Sequence, residues 1–230
     1  FSGPKSELPE ESGGWCDYMV ELEFFKSMPE GIRKDAWFLT KVTMTGQERN
    51  PETGRYPLLN WDDPATNQKH PYWKKNIESS DWVFNYDDGY YETKGISSAS
   101  GKTRMIFRYA DILLLYAEAV AYGTKSIDDL AFDCMWRVQE RAGVPLISKD
   151  VTKEYFQKAV LDERRWETAG MEHSCMGRFF TMQRHEILHL QKNYRDAAEL
   201  SLNPNLTLSE EFYYFPIPDN ELLIVPGLKD

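Results

Sequence analysis

The run His-Glu-Ile-Leu-His at residues 185–189 has the residue types and spacing of a zinc-protease motif. On a helix this spacing places His185 and His189 on one face, where both imidazoles can bind Zn²⁺ while Glu186 acts as the general base. A third ligand is needed, and the available carboxylates, none in a confirming motif, are Glu199, Glu210 and Glu211. The alternative is a solvent-exposed helix face without metal, which is favoured by the polar neighbours Gln183, Arg184 and Gln191.

Aromatic rings alternate with carboxylates and amides between residues 61 and 91, and residues 55–80 sustain no hydrophobic period. Flat rings stack on the apolar faces of sugars, and nearby Asp and Asn side chains bind hydroxyl groups. We predict ligand contacts by four rings: Trp61, Tyr72, Trp73 and Trp82. The alternative is that these rings fill a small satellite core under a long loop. Seven Trp and thirteen Tyr exceed what a core of this size requires, which favours a stacking surface.

Charged side chains crowd residues 162–167, Asp-Glu-Arg-Arg-Trp-Glu. They could do acid–base chemistry, but Glu and Arg on adjacent helical turns usually form structural ion pairs. The pairs Asp62-Asp63 and Asp87-Asp88 suggest glycosidase acids, yet adjacent side chains point apart, and Asp87-Asp88-Gly89 is more simply a turn. The sequence contains no phosphate loop and no nucleophile elbow. We therefore predict no catalytic residue, no metal ligand and no cofactor.

The apolar run at residues 105–122, which lacks Gly and Pro, predicts a central helix that Gly123 ends in a left-handed conformation. Its polar residues Arg108, Asp111 and Glu118 fall on one narrow stripe. We expect other elements to cover most of the remaining, apolar circumference.

Three further helices are predicted at residues 126–142, 152–169 and 174–193 from capping residues and a helical period. Before residue 104 the sequence predicts loops and short strands, with a β-prone run at 37–44 and a hairpin at 81–93. We therefore predict a mainly α protein with a loop-rich region at 1–103 and a helical region at 104–230. Its first two long helices resemble a tetratricopeptide-repeat hairpin, which needs neighbours to bury its face.

The net charge is −10 and no basic run is present, so binding to nucleic acid or to an anionic membrane surface is not expected. The three cysteines are widely spaced and odd in number, and they indicate neither a disulfide framework nor a metal site.

Four blocks of the sequence resemble, in the right order, the SusD/RagB family. The first is Arg-Tyr-Ala-Asp-Ile-Leu-Leu-Leu-Tyr-Ala-Glu-Ala at 108–119, and the second is Arg-Val-Gln-Glu-Arg-Ala-Gly at 137–143. The others are Leu-Asp-Glu-Arg-Arg-Trp-Glu at 161–167 and Phe-Pro-Ile-Pro at 215–218. The chain departs from the family after Glu172, where His-Ser-Cys-Met-Gly lengthens the connection and Thr181 replaces the usual Asp. We expect the local salt-bridge pattern to differ there.

The resemblance implies a mainly α, SusD-like fold with a tetratricopeptide-like helical hairpin and a loop-rich insertion with short β-hairpins. It covers only the family's second half, so we expect this chain to be a fragment of a longer protein.

The resemblance also implies a non-catalytic protein that binds glycans, or sometimes peptides, and acts in nutrient uptake. Its implied location is the outer membrane at the cell surface, through a lipid anchor outside this chain, and its implied partner is a SusC-type TonB-dependent transporter. The alternatives are a zinc metalloprotease that uses His185, Glu186 and His189, and a helical scaffold that binds protein.

Overall fold

The computed structural model describes residues 20–43, 48, 50–52, 54, 57–65, 70–73, 82–84, 91–93, 106–170, 172–190, 195–202, 213, 216–225 and 227. For residues 42–43, 58, 82–84, 91–93, 172–177, 199 and 202 the description covers the backbone alone.

Helices dominate the described part of the chain, which confirms the predicted mainly α class. The helices are α1 Leu22–Ser27, α2 Ile32–Trp37, α3 Tyr109–Tyr122, α4 Asp129–Ala142, α5 Lys153–Thr168, α6 Glu172–Arg184, α7 Ala197–Leu202 and α8 Asp219–Ile224. The strands are β1 Phe38–Leu39, β2 Lys41–Thr43, β3 Leu58–Asn60, β4 Tyr72–Trp73, β5 Trp82–Phe84 and β6 Tyr91–Thr93.

The strands form three antiparallel pairs, β1 with β4, β2 with β3 and β5 with β6. The β5–β6 pair confirms the predicted hairpin, with Trp82 opposite Thr93 and Phe84 opposite Tyr91, while its turn lies outside the described residues. The β-prone run at 37–44 divides into β1 and β2, which pair with different strands. The prediction for this region missed α1 and α2.

The chain divides into two compact units, residues 1–175 and 176–230. The predicted boundary near residue 103 separates the short strands from the long helices, whereas both of these parts contribute to the first unit.

The main core of the first unit lies among α3, α4 and α5. Small and medium side chains of α3 allow close approach of the neighbouring helices: Ala110, Leu114, Ala117 and Ala121. Helix α4 contributes Phe132, Met135 and Val138, and α5 contributes Phe156 and Val160. Helices α3 and α4 thus form the predicted helical hairpin, and its likeness to a tetratricopeptide repeat stays a prediction.

Both ends of α3 differ from the prediction. The helix begins at Tyr109 and not at residue 105, because the Asp111 carboxylate accepts the backbone N–H of Arg108 at 2.8 Å and so caps the first turn. At the other end Gly123 has φ −70° and is not left-handed. Side chains of α5 bind the terminal carbonyl groups instead: Lys153 donates to Gly123 and Lys125, and Gln157 donates to Ala121.

Helix α3 packs its small apolar side chains into the main core, pairs its charged residues with α5 and leaves a second apolar face exposed. Glu118 is buried and pairs with Arg164 of α5, and Arg108 pairs with Glu167 of α5 at 2.8 Å. The outward residues are between 37% and 67% exposed, and they are Tyr109, Ile112, Leu115, Tyr116 and Tyr122. The expectation that other elements cover most of this helix is therefore wrong within the described residues.

Helices α4 and α5 agree closely with their predictions. Asp128 caps α4 by accepting the backbone N–H of Ala131 at 2.8 Å, and the helix ends before Gly143. Thr152 caps α5 in the same way, through the backbone N–H of Tyr155. The sequence predicts the start of α4 at residue 126, three residues too early, whereas the predicted start of α5 near Thr152 is confirmed.

A second core joins α1, α2, β1 and β4 to the end of α5. Its buried members are Val20, Phe24, Met28, Trp37, Phe38 and Trp73, with Trp166 and Ala169 packed against them. Gly31, at φ 154°, brings the start of α2 against the end of α4: a Cβ there would lie 2.8 Å from the carbonyl oxygens of Ala142 and Gly143. Gly170, at φ 64°, lies against the ring of Trp73.

In the second unit α6 ends at Arg184, well before the predicted end at residue 193. Glu186 adopts a left-handed conformation with φ 55°, and the backbone N–H of Ile187 reaches back to the carbonyl of Met182 at 2.8 Å. This is the hydrogen-bond pattern of a Schellman helix end. Thr181, which stands where the family has Asp, is buried.

Replacing Gly170 should destabilise the first unit more than its backbone conformation alone requires. In Gly170→Ala the new Cβ would lie 2.5 Å from a ring carbon of Trp73, so we expect a loss of about 2–5 kcal/mol from overpacking and left-handed strain together. Gly54→Ala is the control, because it has φ 68° with no described atom within 4 Å and should cost only about 1–2 kcal/mol. Urea denaturation measures both, and equal losses would contradict the tight contact with Trp73.

Candidate functional site

Two of the four predicted ligand contacts lie in the interior. Tyr72 and Trp73 form β4, opposite Leu39 and Phe38 of β1, and they are 5% and 8% exposed. The Trp73 ring lies 5.1 Å from that of Phe38 and 6.1 Å from that of Phe24, between ring centroids. For these two residues the structure agrees with the alternative interpretation, a satellite core.

The burial of Tyr72 and Trp73 has a local cause. The sequence places both residues among Pro, Asp and Asn, which suggested a surface segment, but the pairing with β1 and the close approach of Gly170 enclose them. Neither ring presents a stacking face in this arrangement. Ligand binding by these two residues stays a prediction, and it would require their rings to leave this core.

Trp61 occupies a different position, in the turn that follows β3. Its backbone N–H donates to the carbonyl of Thr40 at 2.8 Å, and its ring meets the Phe25 ring nearly edge to face, at 5.6 Å between centroids and 78° between planes. The indole remains partly exposed. Its neighbours in the chain, Asn60 and Asp62, are both exposed, so the same short segment contains an amide, a partly exposed indole and a carboxylate.

Trp82, the fourth predicted contact, lies in β5, and its side chain is outside the description. Ligand binding by Trp61 and Trp82 therefore stays a prediction. Among the three of these residues whose side chains are described, Trp61 is the one that is not buried, and its chain neighbours are polar and exposed.

The possible zinc motif does not have the geometry that its chemistry requires. Residues 185–186 form a turn after α6, and residues 188–190 form a short 3₁₀ segment, so His185 and His189 do not share one face of a continuous α-helix. Tyr213 contacts this segment by accepting the backbone N–H of Leu188 at 3.2 Å. Over the described residues no group of three or more His, Cys, Asp or Glu side chains is arranged to hold a metal ion.

The charged block at residues 162–167 forms the structural ion pairs that the sequence favours. Glu167 is central: its Oε1 accepts from Arg108 at 2.8 Å and also from Arg141, and its Oε2 accepts from Arg33 at 3.1 Å. Glu163 pairs with Arg33 as well. The sequence indicates the charged block but not these three arginine partners. They come from α2, the N-cap of α3 and the last turn of α4, which are distant from the block in sequence.

Glu163 is 1% exposed, and burial raises the pKa of its carboxyl above the ordinary value. The Glu167 carboxylate acts in the same direction, while the Arg33 guanidinium opposes the shift. Burial outweighs the ion pair here, because desolvation penalises the charged form more than one close cation compensates. The described arrangement consists of ion pairs: Arg33 donates to both carboxylates, and Arg108 and Arg141 donate to Glu167.

Comparison with known proteins identifies what this architecture is similar to. The pattern of the SusD family matches residues 1–230. A SusD superfamily protein from Parabacteroides distasonis is 18% identical, with a TM-score of 0.59 over 96% of this chain and 44% of that one. Another from Bacteroides vulgatus is 19% identical, with a TM-score of 0.58 over 93% and 44%.

A third solved structure, surface glycan-binding protein A from Bacteroides uniformis, is 18% identical, with a TM-score of 0.52 over 98% of this chain and 43% of that one. The chain therefore spans less than half the length of these structures. At this identity the likeness shows a shared fold, and it confirms the predicted SusD-like architecture. No curated protein matches this chain.

We expect the purified protein to contain no stoichiometric zinc, because α6 ends before the motif begins. Elemental analysis after dialysis against a zinc-containing buffer measures this, with His189→Ala as the matched variant. One zinc per chain that disappears in His189→Ala would contradict the expectation and restore the protease hypothesis.

The raised pKa of Glu163 predicts a pH-dependent stability difference. A carboxyl with a higher pKa in the folded state contributes stability that is present below its unfolded-state pKa, about 4.3, and lost as the pH rises through the folded-state pKa. Glu163→Gln removes this loss, so the variant's Tm relative to wild type should increase as the pH rises from about 4 to about 7. Calorimetry across this range measures it.

The exposed Glu140→Gln variant is measured in parallel, to separate the effect of burial from that of removing any carboxylate. A Tm difference for Glu163→Gln that stays constant or decreases with rising pH would contradict the assigned direction.

Proposed function

We propose that this chain, which belongs to the SusD family, is part of a non-catalytic protein that binds glycans at the cell surface. One of the similar structures is itself named a surface glycan-binding protein. The observation in this chain that carries the proposal is Trp61, a partly exposed indole held in a turn between an exposed amide and an exposed carboxylate.

The chemistry of the Trp61 turn suits a sugar. The apolar face of a pyranose ring stacks on an aromatic ring, while its equatorial hydroxyls need hydrogen-bond donors and acceptors beside that ring. Asn60 offers both a donor and an acceptor, and Asp62 offers an acceptor when it is ionised. The hydrogen bond from the backbone N–H of Trp61 to the carbonyl of Thr40 fixes the turn, and the contact with Phe25 restricts the ring before a ligand arrives, which reduces the entropic cost of binding.

Family membership also supports the wider setting of this function. We propose that the protein acts at the outer membrane in nutrient uptake, as the partner of a SusC-type TonB-dependent transporter, with membrane contact through a lipid anchor. The described part of the chain contains no helix that is long and apolar enough to cross a bilayer.

A protein-binding helical scaffold is the second candidate function. The observation in its favour is the outward face of α3, where aromatic and aliphatic side chains are exposed along the helix. A scaffold of this kind would bind no polysaccharide, so measuring glycan affinity distinguishes it from the first proposal.

Trp61→Ala should weaken glycan binding and leave the fold intact. Stacking on an exposed aromatic ring is worth about 1–3 kcal/mol by analogy with nucleobases, so the affinity should fall about ten- to hundredfold. Affinity gel electrophoresis with amylopectin, xylan, mannan and laminarin identifies the polysaccharide that the protein retains, and titration calorimetry with its oligosaccharides gives Kd. Trp61→Phe, which keeps an aromatic face, should recover part of the loss.

Trp73→Ala is the matched control, because it removes the same side chain from an interior position. It should cost about 3–5 kcal/mol of stability through the cavity that it leaves. Unchanged affinity in Trp61→Ala would remove this residue from the proposed site. Retention of none of the four polysaccharides would count against glycan binding and favour the scaffold.

A further inference from the structure

The partly exposed Trp61 ring rests on a second aromatic ring that has its own support. Phe25, on α1, meets Trp61 at 5.6 Å and Phe38 of β1 at 5.1 Å between centroids, with interplanar angles of 78° and 86°. These are edge-to-face contacts, the arrangement that the ring quadrupoles favour. Phe25 therefore connects the Trp61 turn to the buried second core.

A buried lysine lies against the same Phe25 ring. The ammonium nitrogen of Lys34, on α2, is 4.5 Å from the ring centroid, a distance at which a cation is attracted to the electron-rich face. Lys34 is 7% exposed, so its cation–π contact is largely shielded from water and correspondingly stronger.

Two hydrogen-bond acceptors hold the ammonium group of Lys34 in place. Its Nζ donates to the backbone carbonyl of Met28 at 3.1 Å and to the Glu30 carboxylate at 2.6 Å. The carbonyl belongs to the segment that joins α1 to α2, and Met28 itself is a buried member of the second core. The ammonium is thus held at a fixed point, from which it fixes the Phe25 ring.

We infer that Lys34 and Phe25 are positioning residues for Trp61, which they hold in the orientation that binds sugar. This inference rests on the proposed function only in its consequence for affinity, because the geometry of the Lys34–Phe25–Trp61 arrangement is independent of any ligand. Neither Lys34 nor Phe25 needs to touch the sugar. Their contribution is to reduce the freedom that the Trp61 ring would otherwise lose on binding.

Fluorine NMR tests the arrangement without a ligand. The chain is produced with 5-fluorotryptophan at its seven Trp positions, and the Trp61 signal is assigned by its loss in Trp61→Phe. Lys34→Met keeps an unbranched side chain but removes the ammonium, and it should shift and broaden the Trp61 signal. Lys34→Arg restores a cation over the ring and should restore the signal, which a purely steric role would not explain.

Lys149→Met is the matched control. Lys149 also lies over aromatic rings, 5.4 Å from Trp136 and 6.0 Å from Phe132, but in a different part of the first unit. Its loss should leave the Trp61 signal unchanged. Phe25→Leu removes the intermediate ring itself, and it decides the question if Lys34→Met does not fold.

Affinity gives the second readout. With the polysaccharide that unaltered protein retains most strongly among amylopectin, xylan, mannan and laminarin, Lys34→Met and Phe25→Leu should each weaken binding about two- to tenfold, the cost of one newly mobile side chain. Lys34→Arg should bind nearly as well as the unaltered protein.

The possible failures are distinguishable. A Trp61 signal that stays unchanged in Phe25→Leu, or that Lys149→Met moves as much as Lys34→Met does, overturns the positioning role. Unchanged affinity in Trp61→Ala removes Trp61 from the proposed glycan site, while the fluorine signal still decides whether Lys34 and Phe25 position it. Weakened affinity in Trp61→Ala, without weakening in Lys34→Met and Phe25→Leu, refutes positioning and leaves the site.

Discussion

The carboxylate of Glu167 is the point on which the helices of the first unit depend. It is buried, and it accepts hydrogen bonds from three arginines that come from α2, the N-cap of α3 and the last turn of α4. A buried charge is tolerated only when its partners are in place, and removing one partner usually costs more than the pair contributes. One side chain of α5 therefore fixes the mutual positions of four elements, and Arg108 reinforces this by donating also to the backbone carbonyl of Glu167.

The same ion pairs explain the orientation of α3. Arg108 and Glu118 lie on its charged stripe, and their partners Glu167 and Arg164 both belong to α5. Rotating α3 to bury its aromatic face would remove both contacts and would withdraw its small side chains from the main core, which makes that orientation unfavourable. The helix consequently directs its charges inward and leaves Tyr109 and Ile112 exposed. Apolar residues occupy two faces of α3, so a hydrophobicity pattern alone does not decide which of them is buried.

The helices of the first unit differ in how well the local sequence predicts them. Helices α4 and α5 are predictable because Asp128 and Thr152 are local capping signals followed by a regular apolar period. Helices α1 and α2 are only six residues long, too short to be stable by propensity, and contacts distant in sequence hold them in place. Arg33, for example, finds its partners at Glu163 and Glu167. No local pattern could have indicated that pairing.

The local sequence also fails to indicate where α6 ends. The spacing of His185 and His189 is a helical spacing, and no Gly or Pro interrupts the sequence there. The helix nevertheless ends, with Glu186 in the left-handed position that Gly usually occupies, and Tyr213 binds the backbone that follows. A contact with a residue far along the chain thus accompanies a change of geometry that removes the chemistry suggested by the motif.

The same limit of the local sequence applies to the aromatic residues of the candidate site. Trp61 and Trp73 have similar sequence surroundings, so composition assigns them the same role. Their difference arises because Trp73 pairs with β1 and lies against Gly170 at the end of α5, whereas Trp61 lies in a turn and is supported from one side by Phe25. Helix α5 therefore joins the main core, the ion pairs and the second core in succession, through Phe156, Glu163 and Trp166. The partly exposed Trp61 ring is connected to this arrangement through Phe25, which contacts Phe38 of the second core.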